Sequence, residues 1–205
     1  MRNITNTFYL LLMLAISLLG FTSCDDDDEG ESVVLDLVSD VHATDDSGIA
    51  YFDLEGGTTL TQADSNSTTW DIAFNGSTIM INGGTSGPGE GAAQIVEGIF
   101  ETITSAPTSG YSVDSADGYA IPSGSGNGWY TYTAMTEPQH AILPIPGVVI
   151  VLKTGEGNYA KVEIISYYEG NPDTSTDEFA DLSTRPSSQY YTFQYAVQTN
   201  GGIEF

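Results

Sequence analysis

The chain has 205 residues, with 28 carboxylates against four Lys and Arg and a formal charge of −24. That balance excludes nucleic acid as a partner, because such binding rests on Lys and Arg neutralising phosphates, and it argues against adhesion to an anionic lipid surface. The single cysteine, Cys24, has no intrachain disulfide partner and needs another explanation.

Residues 1–23 read as a targeting segment. Arg2 supplies the positive end, and the apolar run Phe8 to Phe21 comes next, 14 residues long. Crossing ~30 Å of hydrocarbon takes about 20 residues, so this run is a signal peptide core and not a span. It leads into Thr22-Ser23-Cys24, a site where lipidation of Cys24 would create the mature N-terminus. Each buried methylene of an attached acyl chain contributes about 0.8 kcal/mol to anchoring. Residues 24–32, with the run Asp25 to Glu29, form a solvated acidic linker. An acidic run directly after a lipidated cysteine resembles the lipoprotein export signal of the Bacteroidetes, which implies display on the outer face of the outer membrane. Removing residues 1–23 takes away Arg2 alone, leaving Lys153, Lys161 and Arg185 against the same 28 carboxylates, for a formal charge of −25. Residues 33–205 are one domain's worth of chain and enough to bury a core.

Turn signals at short spacing, abundant Gly, Ser, Thr, Asn and Tyr, and no long helical periodicity predict an all-β domain. Trp70 to Asn82 reads as a hairpin about Asn75-Gly76, since both residues tolerate positive φ. Gly83 to Gly91 is a glycine-rich loop, and no Gly-Lys-Ser/Thr comes after it to make a phosphate cradle. Short helices are expected near Gly91 to Glu101 or Asp177 to Leu182. Val113 to Ile121 carries a turn signal at Asp117-Gly118. Gly147 to Lys153 and Tyr159 to Tyr168 form a second hairpin across Thr154 to Asn158, its first arm a central strand buried on both faces. Lys161 is expected on the solvent face of the second arm. Pro172 to Pro186 reads as a long exposed loop. Tyr190 to Gln198 alternates, with Tyr191, Phe193, Tyr195 and Val197 on one face, as a half-buried strand closing the domain.

Enzyme signatures are missing: no HExxH, no GxSxG and no cysteine nucleophile beyond Cys24. His42 and His140 are too few and too separated for a zinc site. Carboxylate pairs such as Asp45-Asp46 and Asp177-Glu178 sit in loop-like sequence, where solvated charge is the default. The sequence therefore points to a non-catalytic protein.

Gly126 to Pro146 is the unusual stretch. Trp129, Tyr130 and Tyr132 precede a loop holding Met135 and His140, and prolines stiffen the chain after that loop. Thioether and imidazole are both axial ligands of haem iron, and aromatic rings wall a flat macrocycle. On this reading Met135 and His140 meet the metal while Trp129 and Tyr130 flank the ring. On the other reading Trp129 and Tyr130 pack the core and Met135 and His140 are ordinary loop residues. Exposed Trp129, Tyr130 and Tyr132 also suit a non-catalytic glycan- or other ligand-binding surface module.

The blocks Trp70 to Phe74, Asn82 to Gly84, Gly126 to Tyr130, His140 through Pro144-Ile145-Pro146-Gly147 to Ile164, and Tyr191 to Tyr195 resemble, in order and spacing, the HmuY family of Bacteroidetes lipoproteins. The resemblance implies an all-β, hand-like domain with long loops. It also implies a surface haemophore, binding haem and passing it to a TonB-dependent outer-membrane receptor. In the family one iron ligand lies a few residues after the tryptophan matched by Trp129, at Ala134 or Met135 here, and methionine serves there in some members. The other lies before that tryptophan, in the segment matched by Ala120 to Asn127, which holds neither His nor Met; His140 or Met80 would stand in for it.

Overall fold

Residues 33–43 and 48–205 are described in the computed structural model. The signal segment, Cys24, the acidic linker 24–32 and the Asp45-Asp46 pair lie outside the described residues. In chain order the first strands are β1 (Val33–His42), β2 (Ala50–Asp53), β3 (Thr58–Leu60), β4 (Ile72–Asn75), β5 (Thr78–Ile81) and β6 (Ala92–Glu97). Next come β7 (Tyr130–Tyr132), β8 (Ile142–Pro144), β9 (Val148–Lys153), β10 (Tyr159–Tyr168), the helical turn α1 (Asp177–Ala180) and β11 (Ser188–Gln198). The domain is all-β, as the sequence predicts.

One sheet has five strands in the order β1-β11-β10-β9-β6, the other four in the order β3-β2-β4-β5, and β7 and β8 pair with each other. Every described pairing is antiparallel. The two large sheets meet through aromatic side chains. Phe52 packs edge-on to Phe193 and Tyr195, and Phe74 stacks on Tyr191 with ring centroids 4.2 Å apart. Burying such rings removes large apolar areas from water, at about 25 cal/mol per Å².

The hairpin β9–β10 turns at Thr154 to Asn158, as expected, and β9 is a central strand with Val149, Ile150, Val151 and Leu152 all buried. The β4–β5 hairpin also forms, but Asn75 pairs with Thr78, so its loop is Gly76-Ser77, with φ 54° at Gly76 alone. Positive φ at the first loop position suits glycine there.

Other expectations are borne out or corrected. A short helix forms at the second of its two expected places, as α1, whereas residues 92–97 form β6 because they pair with β9 along their whole length; tertiary pairing overrides weak local propensity. The turn expected in Val113 to Ile121 does form, closed by Ser115 and Gly118. β11 does not close the domain: it lies between β1 and β10, and its second face is covered too, with Thr192, Ala196 and Gln198 buried. Phe100, Ala106, Ile203 and Phe205 cover that face at Ala196. Lys161 is buried rather than exposed, donating to the carbonyl oxygens of Phe100 and Ile103 at 2.8 Å each. Burial pulls its pKa below the ordinary value. The glycine-rich loop is a packing device: a Cβ on Gly83 would lie 2.0 Å from the carbonyl oxygen of Gly91.

Candidate functional site

The β7–β8 hairpin and its loop carry three exposed side chains with metal-donor atoms, Tyr132, Met135 and His140. Its strands are three residues each, too short to stand without support. Support comes from beneath. Ile142 N–H donates to Tyr168 Oη at 3.0 Å, and Ile145 N–H donates to Trp129 O at 2.9 Å.

The loop Thr133 to Ala141 is held by its own polar groups. Thr133 N–H donates to Ala141 O at 2.9 Å, His140 N–H donates to Ala134 O at 2.8 Å, and Ala141 N–H donates to Thr133 Oγ1 at 2.9 Å. The Thr133 hydroxyl donates to Pro138 O. Ala134 and His140 sit in the left-handed region, at φ 51° and 55°. For residues with a Cβ that conformation costs roughly 1–2 kcal/mol each, and it persists only because the surrounding hydrogen bonds impose it.

His140 lines an open cleft of about 430 Å³, bounded by the β4–β5 turn, the β7–β8 hairpin, the end of β10 at Tyr167 and Tyr168, and the start of β11 at Gln189. A second groove of about 660 Å³ lies across β8 and shares Ile142, Tyr167 and Tyr168 with the first. Both volumes are in the range of small-molecule sites. The β4–β5 turn that forms one wall is fixed from the core. Trp129 Nε1 donates to Ser77 O at 2.9 Å, Tyr191 Oη donates to Gly76 O at 2.9 Å, and Ser77 Oγ donates to Tyr130 Oη at 3.3 Å.

The residues singled out by sequence thus separate. Met135 is 70% exposed, and its sulfur is not packed into the interior. His140 is exposed, and its Nδ1 lies 2.6 Å from Tyr132 Oη. Trp129, 2% exposed, and Tyr130 are in the core and brace the cleft from below instead of facing it. Met80 is buried with Tyr51, Trp70 and Ala73, away from the β7–β8 loop in a separate cluster. His42 stacks on Tyr190 at 4.0 Å.

Two features are not evident from the sequence. The Tyr132–His140 pair joins residues eight apart, and its signal was a hairpin in which Tyr132 lies opposite Ile142. Asp71 is buried, accepting from Leu54 N–H at 2.7 Å and Gly155 N–H at 2.8 Å. Burial pushes its carboxyl up to about 7 even though those two donors pull the other way, with Asp53 and Glu55 adding repulsion. It ties β4 to the turns after β2 and β9.

Among the described residues no Lys or Arg lines the cleft. Lys161 is buried over the ring of Phe100, Arg185 Nε donates to Phe179 O at 2.8 Å, and Lys153 lies over Tyr111 and Tyr159.

The HmuY protein family model matches residues 45–180 of the chain. The chain belongs to the HmuY family. An apo HmuY analogue from Tannerella forsythia is similar to this HmuY-family chain in structure, with a TM-score of 0.55 at 16% identity over 83% of this chain and 99% of that one. Apo PinO from Porphyromonas gingivitis is similar with a TM-score of 0.53 at 16% identity, over 81% and 98% of the respective chains. At that identity the likeness is one of fold. No curated protein matches the chain in sequence.

Proposed function

We propose that this HmuY-family chain is a non-catalytic haem-binding protein, taking the ligand at the β7–β8 loop and the cleft beside it. The observation that carries this reading is the pre-formed loop, which exposes Met135 and the hydrogen-bonded Tyr132–His140 pair at one rim. Among the described residues no three His, Cys, Asp or Glu side chains are placed to hold a bare metal ion. A porphyrin supplies its iron with four nitrogen ligands, so one or two protein donors suffice, and imidazole, thioether and phenolate all serve as haem axial ligands. Ile142, Tyr167 and Tyr168 are shared with the groove across β8, whose Leu143, Pro144, Ile145 and Pro146 give it an apolar wall suited to a flat macrocycle, while the cleft itself is lined mainly by polar groups. Among the described residues no Lys or Arg lines the cleft or the groove to pair with haem carboxylates. Haem bound here contributes redox-active iron, and the chain's part is to hold and shield it.

The family resemblance supports the wider setting: a lipoprotein anchored through Cys24 on the outer-membrane surface, with residues 1–23 removed, handing haem to a TonB-dependent receptor. Loss of acyl labelling in Cys24→Ala tests the anchor. The glycan-binding alternative loses support, since two of its three rings, Trp129 and Tyr130, are buried. Titration with haemin, ferric and then reduced, tests the central reading; no Soret shift in either state, with albumin as positive control, overturns it.

A further inference from the structure

We propose that the atom bonding ferric haem iron is the phenolic oxygen of Tyr132, and that His140 is a positioning residue acting through it. This rests on the haem reading above and names the donor within it. Tyr132 Oη lies 2.6 Å from His140 Nδ1, with the rings tilted by 35°, and both side chains line the same cleft. Each partner is independently fixed. Tyr132 sits opposite Ile142 in the β7–β8 ladder, its N–H donates to Ser125 Oγ at 2.8 Å, and its ring remains 44% exposed. His140 is held at φ 55° by its N–H bond to Ala134 O. The residue that meets the phenol thus has a backbone fixed by the loop's own hydrogen bonds.

A neutral phenol is a weak ligand, whereas a phenolate is a hard anionic donor suited to ferric iron. With the imidazole neutral and its proton on Nε2, Nδ1 accepts the phenol hydrogen bond. Bonding to ferric iron would require the phenol to give up its proton, and the Nδ1 facing it at 2.6 Å is placed to take it, so that no oxidant or reductant would be needed. His140 then holds the bound oxygen in place, as outer-shell partners do for metal ligands. Met135, a soft thioether on the same loop, is the donor suited to the reduced metal.

The test titrates the full chain with haemin, ferric and reduced, and records absorption and resonance Raman spectra. The wild type is expected to show a Soret shift with a phenolate-to-iron charge-transfer band in the ferric state only. Tyr132→Phe, at an exposed position that tolerates the change, should abolish the band and weaken ferric haemin binding about tenfold or more, leaving ferrous binding nearly unchanged. His140→Ala should diminish the band. His140→Asn should restore it only in part, because the Asn amide oxygen accepts from the phenol and Asn tolerates positive φ, but the amide cannot take the phenol proton. A Tyr132→Phe variant that binds ferric haemin with the wild-type spectrum overturns this assignment while the haem reading stands. A wild type with no Soret shift in either state overturns both.

Discussion

Two hairpins of this domain share a motif and differ in what holds them. β9–β10 runs through the middle of the five-stranded sheet, with Ile150 and Leu152 in the main core and Val149 and Val151 in the core on the opposite face. Its turn is tied down from outside: Asp71 accepts from Gly155 N–H, and Glu55 accepts from Thr154 Oγ1 at 3.2 Å and Asn158 Nδ2 at 2.9 Å. β7–β8 has three-residue strands, and its loop is closed by its own backbone and the Thr133 hydroxyl. The first hairpin gains its stability from burial. The second uses local hydrogen bonds and two left-handed residues, so that Tyr132, Met135 and His140 stay in solvent without being loose. A binding loop on a rigid scaffold needs that second solution.

The largest effect should come from breaking the scaffold hairpin. Ile150→Ala is expected to cost about 2–5 kcal/mol, the usual range for emptying a buried branched site, read by urea unfolding. The haemin spectrum of the protein that remains folded should not change; a changed spectrum would show that the two hairpins are not separable.

Asp71 comes next. Asp71→Asn turns one acceptor into a donor facing a backbone N–H, at a cost of about 1–3 kcal/mol. Its pH dependence has a definite sign. The folded-state carboxyl is raised from 3.8 to about 7, so the folded chain holds a proton that the unfolded chain releases across that interval. The stability this group contributes is therefore full below about pH 4 and is lost as pH rises through 7. Thermal melts at several pH values should show the gap between wild type and Asp71→Asn narrowing as pH rises. A gap that does not change with pH would mean the carboxylate stays ionised throughout.

The smallest stability effect should come from the loop. Met135→Ala removes an exposed side chain and should shift stability by no more than about 0.5 kcal/mol. The same change should alter the spectrum of the haem complex more than His42→Ala does, because His42 is stacked on Tyr190 outside the cleft. Equal spectra for the two variants would remove Met135 from the site.

Much of the scaffold was legible because strands in this chain carry period-two or fully apolar runs bounded by strong turn residues. The turn from Thr154 to Asn158 and the inward row of Tyr191, Phe193, Tyr195 and Val197 come from that pattern alone. The covering of the opposite face at Ala196 was not legible, because Ile203, Phe205 and Phe100 reach it from elsewhere in the chain. The same holds for Lys161, whose charge reads as a surface residue until the carbonyl oxygens of Phe100 and Ile103 are brought to it.

At the site the division is similar. The sequence by itself determined a strand-rich domain, the extreme acidity that excludes nucleic acid, and the stretch in which Met135 and His140 stand together. Only the tertiary structure decided that Trp129 and Tyr130 face inward, that Met80 is enclosed, and that Tyr132 is the partner of His140. Local patterns report which way a strand alternates and where the chain turns. Which side chains meet depends on how separate segments pack, and neither burial of an aromatic ring nor a hydrogen bond across a hairpin is encoded by neighbours in sequence alone.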